Sequence, residues 1–268
     1  MFLVNGNPEN RLEISDRGLQ YGDGLFETIA YQHQQPQHLI AHLERLAIGC
    51  QRLAIPCPSF DLFINDIDQL ALDQNPAVVK IIVTRGCGGR GYRQPDSIQP
   101  TRIISQHPFP DYPVSYIQQG IAAFFCKTRL SINPLLAGMK HLNRLEQVLA
   151  RAEWSDSTFQ EGIMMDSLDR VIEGTMSNLF FIKQSILYTA PLRDSGVAGI
   201  MRALVIQYAQ AHQIKIQEVY YDRAQLLAAD EIFVTNSIIG IWPVSLLDNQ
   251  LLAVGPITQT LMHGLTQS

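Results

Sequence analysis

The chain has 268 residues, 46% of them hydrophobic and 17% charged, with a formal net charge of −5 and a pI near 5.8. This is the composition of a folded globular protein of one or two domains. The acidic balance, with no Lys/Arg cluster, argues against a nucleic-acid partner. Cys50, Cys57, Cys87 and Cys126 form no CxxC pair and no metal-ligand spacing, so neither a disulfide scaffold nor a metal site is expected. They read as small buried hydrophobes in a reducing compartment. No signal-peptide pattern opens the chain and no 18-residue apolar run crosses it, so a cytoplasmic protein without a membrane span is expected.

In chain order, "MFLVNGNPENRLEI" reads as two short strands around the turn dipeptide Asn5-Gly6. "AHLERLAIGCQRLAI" places Leu43, Leu46, Ala47, Cys50 and Leu53 on one helix face, and "FDLFINDIDQLALDQ" predicts a second helix ended by Asn75-Pro76. Strands follow at Ala77–Thr84, Thr101–Gln106 and Gly120–Thr128. "HPFPDYPVSY", with Pro108, Pro110 and Pro113, is a stiff non-helical connector. It divides a smaller N-terminal α/β domain (1–112) from a larger domain (120–268) through a linker at 113–119. Leu142, Leu145, Val148, Leu149 and Ala152 then mark one apolar helix face. "EGIMMDS", "RVIEG", "NLFFIK" and "SILYTA" predict an antiparallel meander. A helix from about Gly199, the strands "EIFVTN" and "IGIWPV", and a helix after Gly255-Pro256 complete a mixed α and β class in two domains.

"GCGGRG" (Gly86–Gly91) satisfies a dinucleotide fingerprint, but "YRQPDSIQP" follows it where a helix should open, so a Rossmann reading is rejected. The glycines form either a flexible substrate loop or a long hairpin turn. HExxH, GxSxG and Walker A patterns are absent. Lys140, in "LLAGMKHLNRLEQVLARAE", precedes the apolar helix pattern directly. From position alone it is a surface lysine, yet a helix N-terminus is not a favoured place for a cation. A Schiff base to an aldehyde cofactor would supply a reason for the amine. Pyridoxal phosphate makes two further demands. An acid must stand beside its pyridine nitrogen, and Glu173 in "VIEGTMSNLFF" is a candidate. A phosphate cradle is also needed, and the glycines of "DSGVAGIMR" at a helix start, with Asn236 and Ser237 of "FVTNS", are candidates.

Six segments in order, "SDRGLQYGDGLFET", "HLERL", "GMKHLNRLEQVLAR", "EGTMSNLFF", "GVAGIMR" and "EIFVTNSIIGIWPV", make the chain resemble the fold-type IV pyridoxal-phosphate enzymes. That family includes branched-chain and D-amino-acid aminotransferases and aminodeoxychorismate lyase. The resemblance implies two α/β domains with the cofactor between them, usually in a homodimer. It implies that Lys140 carries pyridoxal 5'-phosphate as an internal aldimine, and that Glu173 meets the pyridine nitrogen. It further implies that Arg45 and the backbone at Ile200 and Met201 hold the phosphate, with Asn178, Asn236 and Ser237 also beside the cofactor. Asn236-Ser237 stands where the aminotransferases usually have Gly-Thr.

"KHLNRLEQVLAR" and "RGCGGRGY" are most similar to the lyase branch. It converts 4-amino-4-deoxychorismate to 4-aminobenzoate and pyruvate on the route to folate, without a metal. In that reading Lys140 takes the C4 proton of the substrate's external aldimine and enolpyruvate leaves. The alternatives are an aminotransferase acting on branched-chain or D-amino acids and a cofactor-free binding protein. A substrate with two carboxylates calls for cations, and Arg90, Arg93 and Arg102 lie in or beside the glycine loop. Tyr92, Thr28 and His38 are further substrate candidates.

Overall fold

The structure is a computed structural model that describes residues 1–70, 76–155 and 158–266. The chain divides into two compact units, Met1–Pro110 with Met139–Asn143, and Asp111–Gly138 with Arg144–Ser268.

The first unit holds β1 (Phe2–Val4), β2 (Asn7–Pro8), α1 (Arg17–Tyr21), β3 (Gly24–Gln32), β4 (Gln35–Pro36), α2 (Leu39–Leu53), α3 (Phe60–Gln69), β5 (Ala77–Thr84) and β6 (Thr101–Pro108). Among the described residues its sheet is antiparallel, in the order β2-β1-β6-β5-β3-β4. The first hairpin forms as expected, with Asn5 and Gly6 both at positive φ (50° and 84°). Strand alternation gives the sheet two unlike faces. Leu25, Ile29, Val79, Ile81, Val83 and Ile104 are fully buried on the face over which α2 and α3 pack. Phe26, Thr28, Lys80 and Ile82 occupy the other face and are half-buried. The second helix is shorter than "FDLFINDIDQLALDQ" predicts, ending at Gln69; its stop signal at Asn75 lies outside the described residues.

The second unit holds α4 (Ser115–Gln118), β7 (Ile121–Leu130), α5 (Leu145–Arg151), β8 (Glu161–Asp166), β9 (Val171–Gly174), β10 (Asn178–Lys183), β11 (Ile186–Thr189), α6 (Ile200–Ala211), β12 (Ile216–Glu218), α7 (Arg223–Leu227), β13 (Glu231–Asn236), β14 (Gly240–Leu247), β15 (Gln250–Leu251) and α8 (Pro256–Thr266). The segment expected to be a non-helical linker therefore contains α4, because Pro113 stands at its start, where its carbonyl accepts from the Tyr116 N–H and its missing N–H costs no helical bond. The strand path β10-β13-β14-β7-β8-β9 closes on itself, since β9 pairs back to β10 at Glu173 and Asn178. Leu179, Phe181, Val234, Trp242, Val244 and Ile163 of this ring share one core. The alternate residues Phe180, Ile182 and Phe233 form a second core with Val205 of α6 and Leu261 of α8.

Two expectations fail between residues 140 and 149. Lys140 is not at a helix start, since α5 begins only at Leu145. The apolar face read from Leu145, Val148 and Leu149 is not covered: these residues are 75%, 59% and 61% exposed, and Ala150 is the buried residue of α5. The cysteine reading holds for buried Cys50 and Cys126 but not for exposed Cys87.

Candidate active site

The segment Met139–Asn143 runs extended along the edge of β3. The Phe26 N–H donates to the Lys140 carbonyl at 2.9 Å, the Leu142 N–H donates to the Gly24 carbonyl at 3.0 Å, and Leu25 pairs with His141. Directly opposed residues share a face, so His141 goes with Leu25 and Lys140 goes with Phe26. The Lys140 Nζ accordingly lies 4.3 Å from the Phe26 ring centroid, a cation–π distance. A main-chain ladder, not a helix terminus, positions this amine.

On the other face of β3, Glu27 reaches α2. The His42 Nδ1 lies 2.6 Å from Glu27 Oε2, and the Arg45 guanidinium grips both Glu27 oxygens, with Nε 2.8 Å from Oε1. Glu27 and His42 are buried. Burial opposes the Glu27 charge, but the bonds from His42 and Arg45 outweigh it, and the carboxyl lies below its ordinary range. Burial also pulls His42 below its ordinary range, against the pull of Glu27. The pair is thus a carboxylate and a neutral imidazole whose Nδ1–H donates. His42 Nε2 has no hydrogen-bond partner among the described residues.

In the second unit, Glu173 is the penultimate residue of β9 and is buried. Its Oε2 accepts from the Val197 N–H at 2.8 Å and from Asn178 Nδ2 at 3.4 Å, while Asn178 also donates to the Val197 carbonyl at 2.8 Å. Beneath the turn that follows, fully buried Glu161 accepts from Thr175 N (2.9 Å), Thr175 Oγ1 (2.6 Å), Gly162 N (2.9 Å) and Ser177 Oγ (2.6 Å). Burial nonetheless raises its carboxyl above the usual range. The helix α6 opens at Gly199 with no side-chain cap, so the first-turn N–H groups at Ile200 and Met201 lie at an uncapped, electropositive end. A Cβ at Gly199 would stand 2.0 Å from Asn178 Oδ1, so this start admits no other residue unshifted. An uncapped helix start suits a phosphate, a buried carboxylate suits a pyridinium, and a lysine amine suits an aldehyde: the donor set fits pyridoxal phosphate.

Other candidates fall elsewhere. Asn236 holds the β13–β14 turn, its Oδ1 accepting from Ile238 and Ile239 N–H and its Nδ2 donating to the Met176 carbonyl; Ser237 lies within that turn. The side chain of Asn236 is committed to backbone. Arg102 is corrected: on β6 it shares parity with Ile104, on the helix-packed face, and its Nε binds Asp66 Oδ2 at 2.6 Å. Arg93 pairs with Asp96 on the open surface, and Arg90 is exposed. Residues 85–100 connect the hairpin strands β5 and β6. The buried Arg17 clamps this connection, donating to the carbonyls of Gly91 (2.9 Å), Tyr92 (3.3 Å) and Arg93 (3.4 Å). Tyr92 is 86% exposed, with its ring 5.5 Å from that of Tyr21. His38 is the left-handed residue before α2, and Thr28 lies on the Lys140 face. Sequence reasoning missed Phe26, Glu27, His42 and Glu161. The alternation in "GLFETIAYQ" and the His-x-x-Arg spacing in "HLERL" were the available signals.

Among the described residues no group of three or more His, Cys, Asp or Glu can hold a metal, and no helix is long and apolar enough to cross a membrane. The architecture is that of the fold-type IV enzymes. The amino-transferase class IV family model matches residues 24–247, and the chain belongs to that family. It is 40% identical over 245 residues to the aminodeoxychorismate lyase of Vibrio harveyi, covering 91% of this chain and 90% of that one. It superposes on the crystal structure of 4-amino-4-deoxychorismate lyase from Pseudomonas aeruginosa with a TM-score of 0.96 and 46% identity, covering 100% and 99% of the two chains. The D-alanine aminotransferase of Bacillus licheniformis is 28% identical over 278 residues, covering 99% and 96%.

Proposed function

We propose that this chain is a pyridoxal-phosphate-dependent lyase converting 4-amino-4-deoxychorismate to 4-aminobenzoate and pyruvate in folate biosynthesis. The observation that carries the reading is the gradient of likeness: 40% and 46% identity to two proteins named as that lyase, against 28% to a D-alanine aminotransferase, all over nearly the whole chain.

Lys140 is the residue that bears the cofactor, and Glu173 is the carboxylate for its pyridine nitrogen. Asn178 and the Val197 N–H orient that carboxylate. Arg45, fixed by Glu27, and the N–H groups of Ile200 and Met201 serve the phosphate. Asn236 and Ser237 contribute through their turn backbone. When bound, the cofactor supplies an electron sink conjugated to the substrate nitrogen. Lys140 then acts as the base that removes the proton from substrate C4. The C3–O bond breaks, enolpyruvate leaves with the electron pair, and the ring becomes aromatic. The Lys140 ammonium returns its proton to the enolpyruvate methylene carbon, giving pyruvate and restoring the amine.

The exposed Leu145, Val148 and Leu149 of α5 support a homodimer in which a second copy covers this face. A cytoplasmic enzyme fits the same reading.

The test is an assay of cofactor-loaded protein with 4-amino-4-deoxychorismate and no keto acid. Equal catalytic release of 4-aminobenzoate and pyruvate, abolished by Lys140→Ala, is the expected result. If neither product forms, while an amino acid alone converts the cofactor to its amine form, the chain is an aminotransferase.

A further inference from the structure

The cysteines of the chain are free thiols, and two of them meet at the end of α2. Cys50 lies in the last turn of that helix and is fully buried, whereas Cys57, beyond the helix, is half-buried. Between them the chain reverses. Ala54 caps α2 in the left-handed region (φ 53°, ψ 43°), its N–H donating to the carbonyls of Cys50 and Gln51, and the Ile55 N–H donates to the Cys50 carbonyl at 2.9 Å. Pro56 and Pro58 flank Cys57 and stiffen its backbone, because each ring fixes its own φ and confines the residue before it. Arg85 anchors the reversal from β5, its guanidinium donating to the carbonyls of Leu53 (2.8 Å) and Ala54 (2.9 Å). The turn thus held brings the Cys57 thiol onto the Cys50 thiol, and the two share a hydrogen bond.

The two sulfurs are unequal. The shared hydrogen bond, with burial, pushes the Cys50 thiol above its ordinary range, so Cys50 keeps its proton and donates. The same bond draws Cys57 below its ordinary range. The sulfur that gives up its proton more readily is therefore also the one that solvent reaches, and a second thiol is already in contact with it. That is the arrangement of an oxidisable thiol and its resolving partner. Among the other thiols, Cys87 is exposed in the glycine loop and Cys126 is buried in the core of the second unit.

We propose that Cys57 and Cys50 are a peroxide-responsive pair, in which Cys57 is oxidised first and Cys50 converts it to a reversible disulfide at the end of α2. The Cys57 thiolate attacks one oxygen of hydrogen peroxide, the O–O bond breaks, and the departing hydroxide takes up the proton that Cys57 released. Cys57 is then a sulfenic acid. The Cys50 sulfur attacks the Cys57 sulfur, the S–O bond breaks, and hydroxide leaves with the Cys50 proton as water. The two thiols have lost two electrons in forming one S–S bond, and the peroxide has gained them in becoming two waters. In a reducing compartment such a bond is transient. A dithiol returns it to two thiols, whereas a sulfinic acid is not recovered in that way, so Cys50 protects Cys57 from irreversible loss.

For the test, the cofactor-loaded enzyme is treated with hydrogen peroxide sufficient to oxidise exposed Cys87, the remaining thiols are alkylated, and the protein is digested with trypsin without reductant. Cleavage after Arg45, Arg52 and Lys80 puts Cys50 in residues 46–52 and Cys57 in residues 53–80, so only a disulfide keeps these two peptides together. The joined peptide is the expected product, in protein that keeps its single-chain mass on non-reducing electrophoresis. It should vanish when dithiothreitol precedes alkylation. In Cys50→Ala, Cys57 should instead accumulate as sulfinic acid that dithiothreitol does not recover. Absence of the joined peptide from the native enzyme overturns the proposal, whatever the variant does, and so does a joined peptide found only in a species of twice the chain mass. Full recovery of the Cys57 thiol in a folded Cys50→Ala enzyme also overturns it, as does loss of the Cys50 thiol in Cys57→Ser at the native rate.

Discussion

Phe26 holds Lys140 at both ends: its N–H donates to the Lys140 carbonyl at 2.9 Å, and its ring lies 4.3 Å from the Lys140 Nζ. Backbone and side chain of one strand residue thus contribute to the place and the direction of the Lys140 amine. Phe26→Leu keeps the backbone bond and the apolar bulk but removes the ring face. It should leave the melting temperature nearly unchanged and lower kcat by about twofold to thirtyfold, the span of a cation–π contact worth about 0.5–2 kcal/mol. Phe26→Tyr keeps the ring and should stay near native activity. A Phe26→Leu enzyme with native kcat would show that the ring does not orient Lys140.

The Glu27–His42 pair makes the first unit sensitive to acid. His42 faces Glu27 of β3, Arg45 on its own helix, and Lys140. Its folded pKa lies below the ordinary 6.5, so the unfolded chain binds the proton more readily. Stability is therefore complete above pH 6.5 and falls as the pH drops from there through the folded value. Glu27, also lowered, adds a second loss below 4.5. In His42→Gln, melting temperatures followed from pH 7 down to about pH 3 should lose the first of these slopes and keep the second.

Glu161 carries the opposite sign. Burial raises its carboxyl above 4.5, so the folded state binds the proton more tightly and loses stability as the pH rises through the folded value. Glu161→Gln does not titrate, and its stability relative to the native chain should improve from pH 5 to pH 8. Glu161→Ala strands the N–H groups of Gly162 and Thr175 and the hydroxyls of Thr175 and Ser177. It should cost about 3 kcal/mol or more in chemical denaturation, since each unpaired buried group costs about 1–3 kcal/mol.

The uncovered face of α5 predicts the assembly. Val148→Glu combined with Leu149→Lys should turn a dimer into a monomer in sedimentation, with an unchanged far-ultraviolet spectrum, because both side chains are exposed in the single chain. An unaltered mass would show that this face of α5 makes no contact between copies.

Elements whose pattern is local were legible in the sequence. The strands Ala77–Thr84 and "EIFVTN" match β5 and β13, and the helix pattern of "AHLERLAIGCQRLAI" lies within or beside α2. What failed depended on partners distant in the chain. The leucine spacing before and within α5 looks the same whether its cover comes from this chain or another. The extended run through Lys140 is held by β3, more than a hundred residues earlier, and carries no strand signal of its own. Arg102 is adjacent in sequence to the glycine loop, yet strand parity sends its side chain to the helix-packed face. Glu173, the acid proposed for the site, stands in a contiguous motif that the sequence displays without help from the fold. The supports of the site, Phe26, Glu27, His42 and Glu161, were not found, because each becomes meaningful only once the sheets are assembled.

The closure of the strand ring at Glu173 has a consequence for how errors in folding are expressed. Glu173 is opposed to Met164 on one side and to Asn178 on the other, so two separate hairpins must agree on its position. A slip of one residue in either hairpin would turn the carboxylate to the opposite face of the sheet. Misassembly of this region therefore moves the carboxylate by a whole face of the sheet, and alignment of the strands and orientation of Glu173 become one and the same variable.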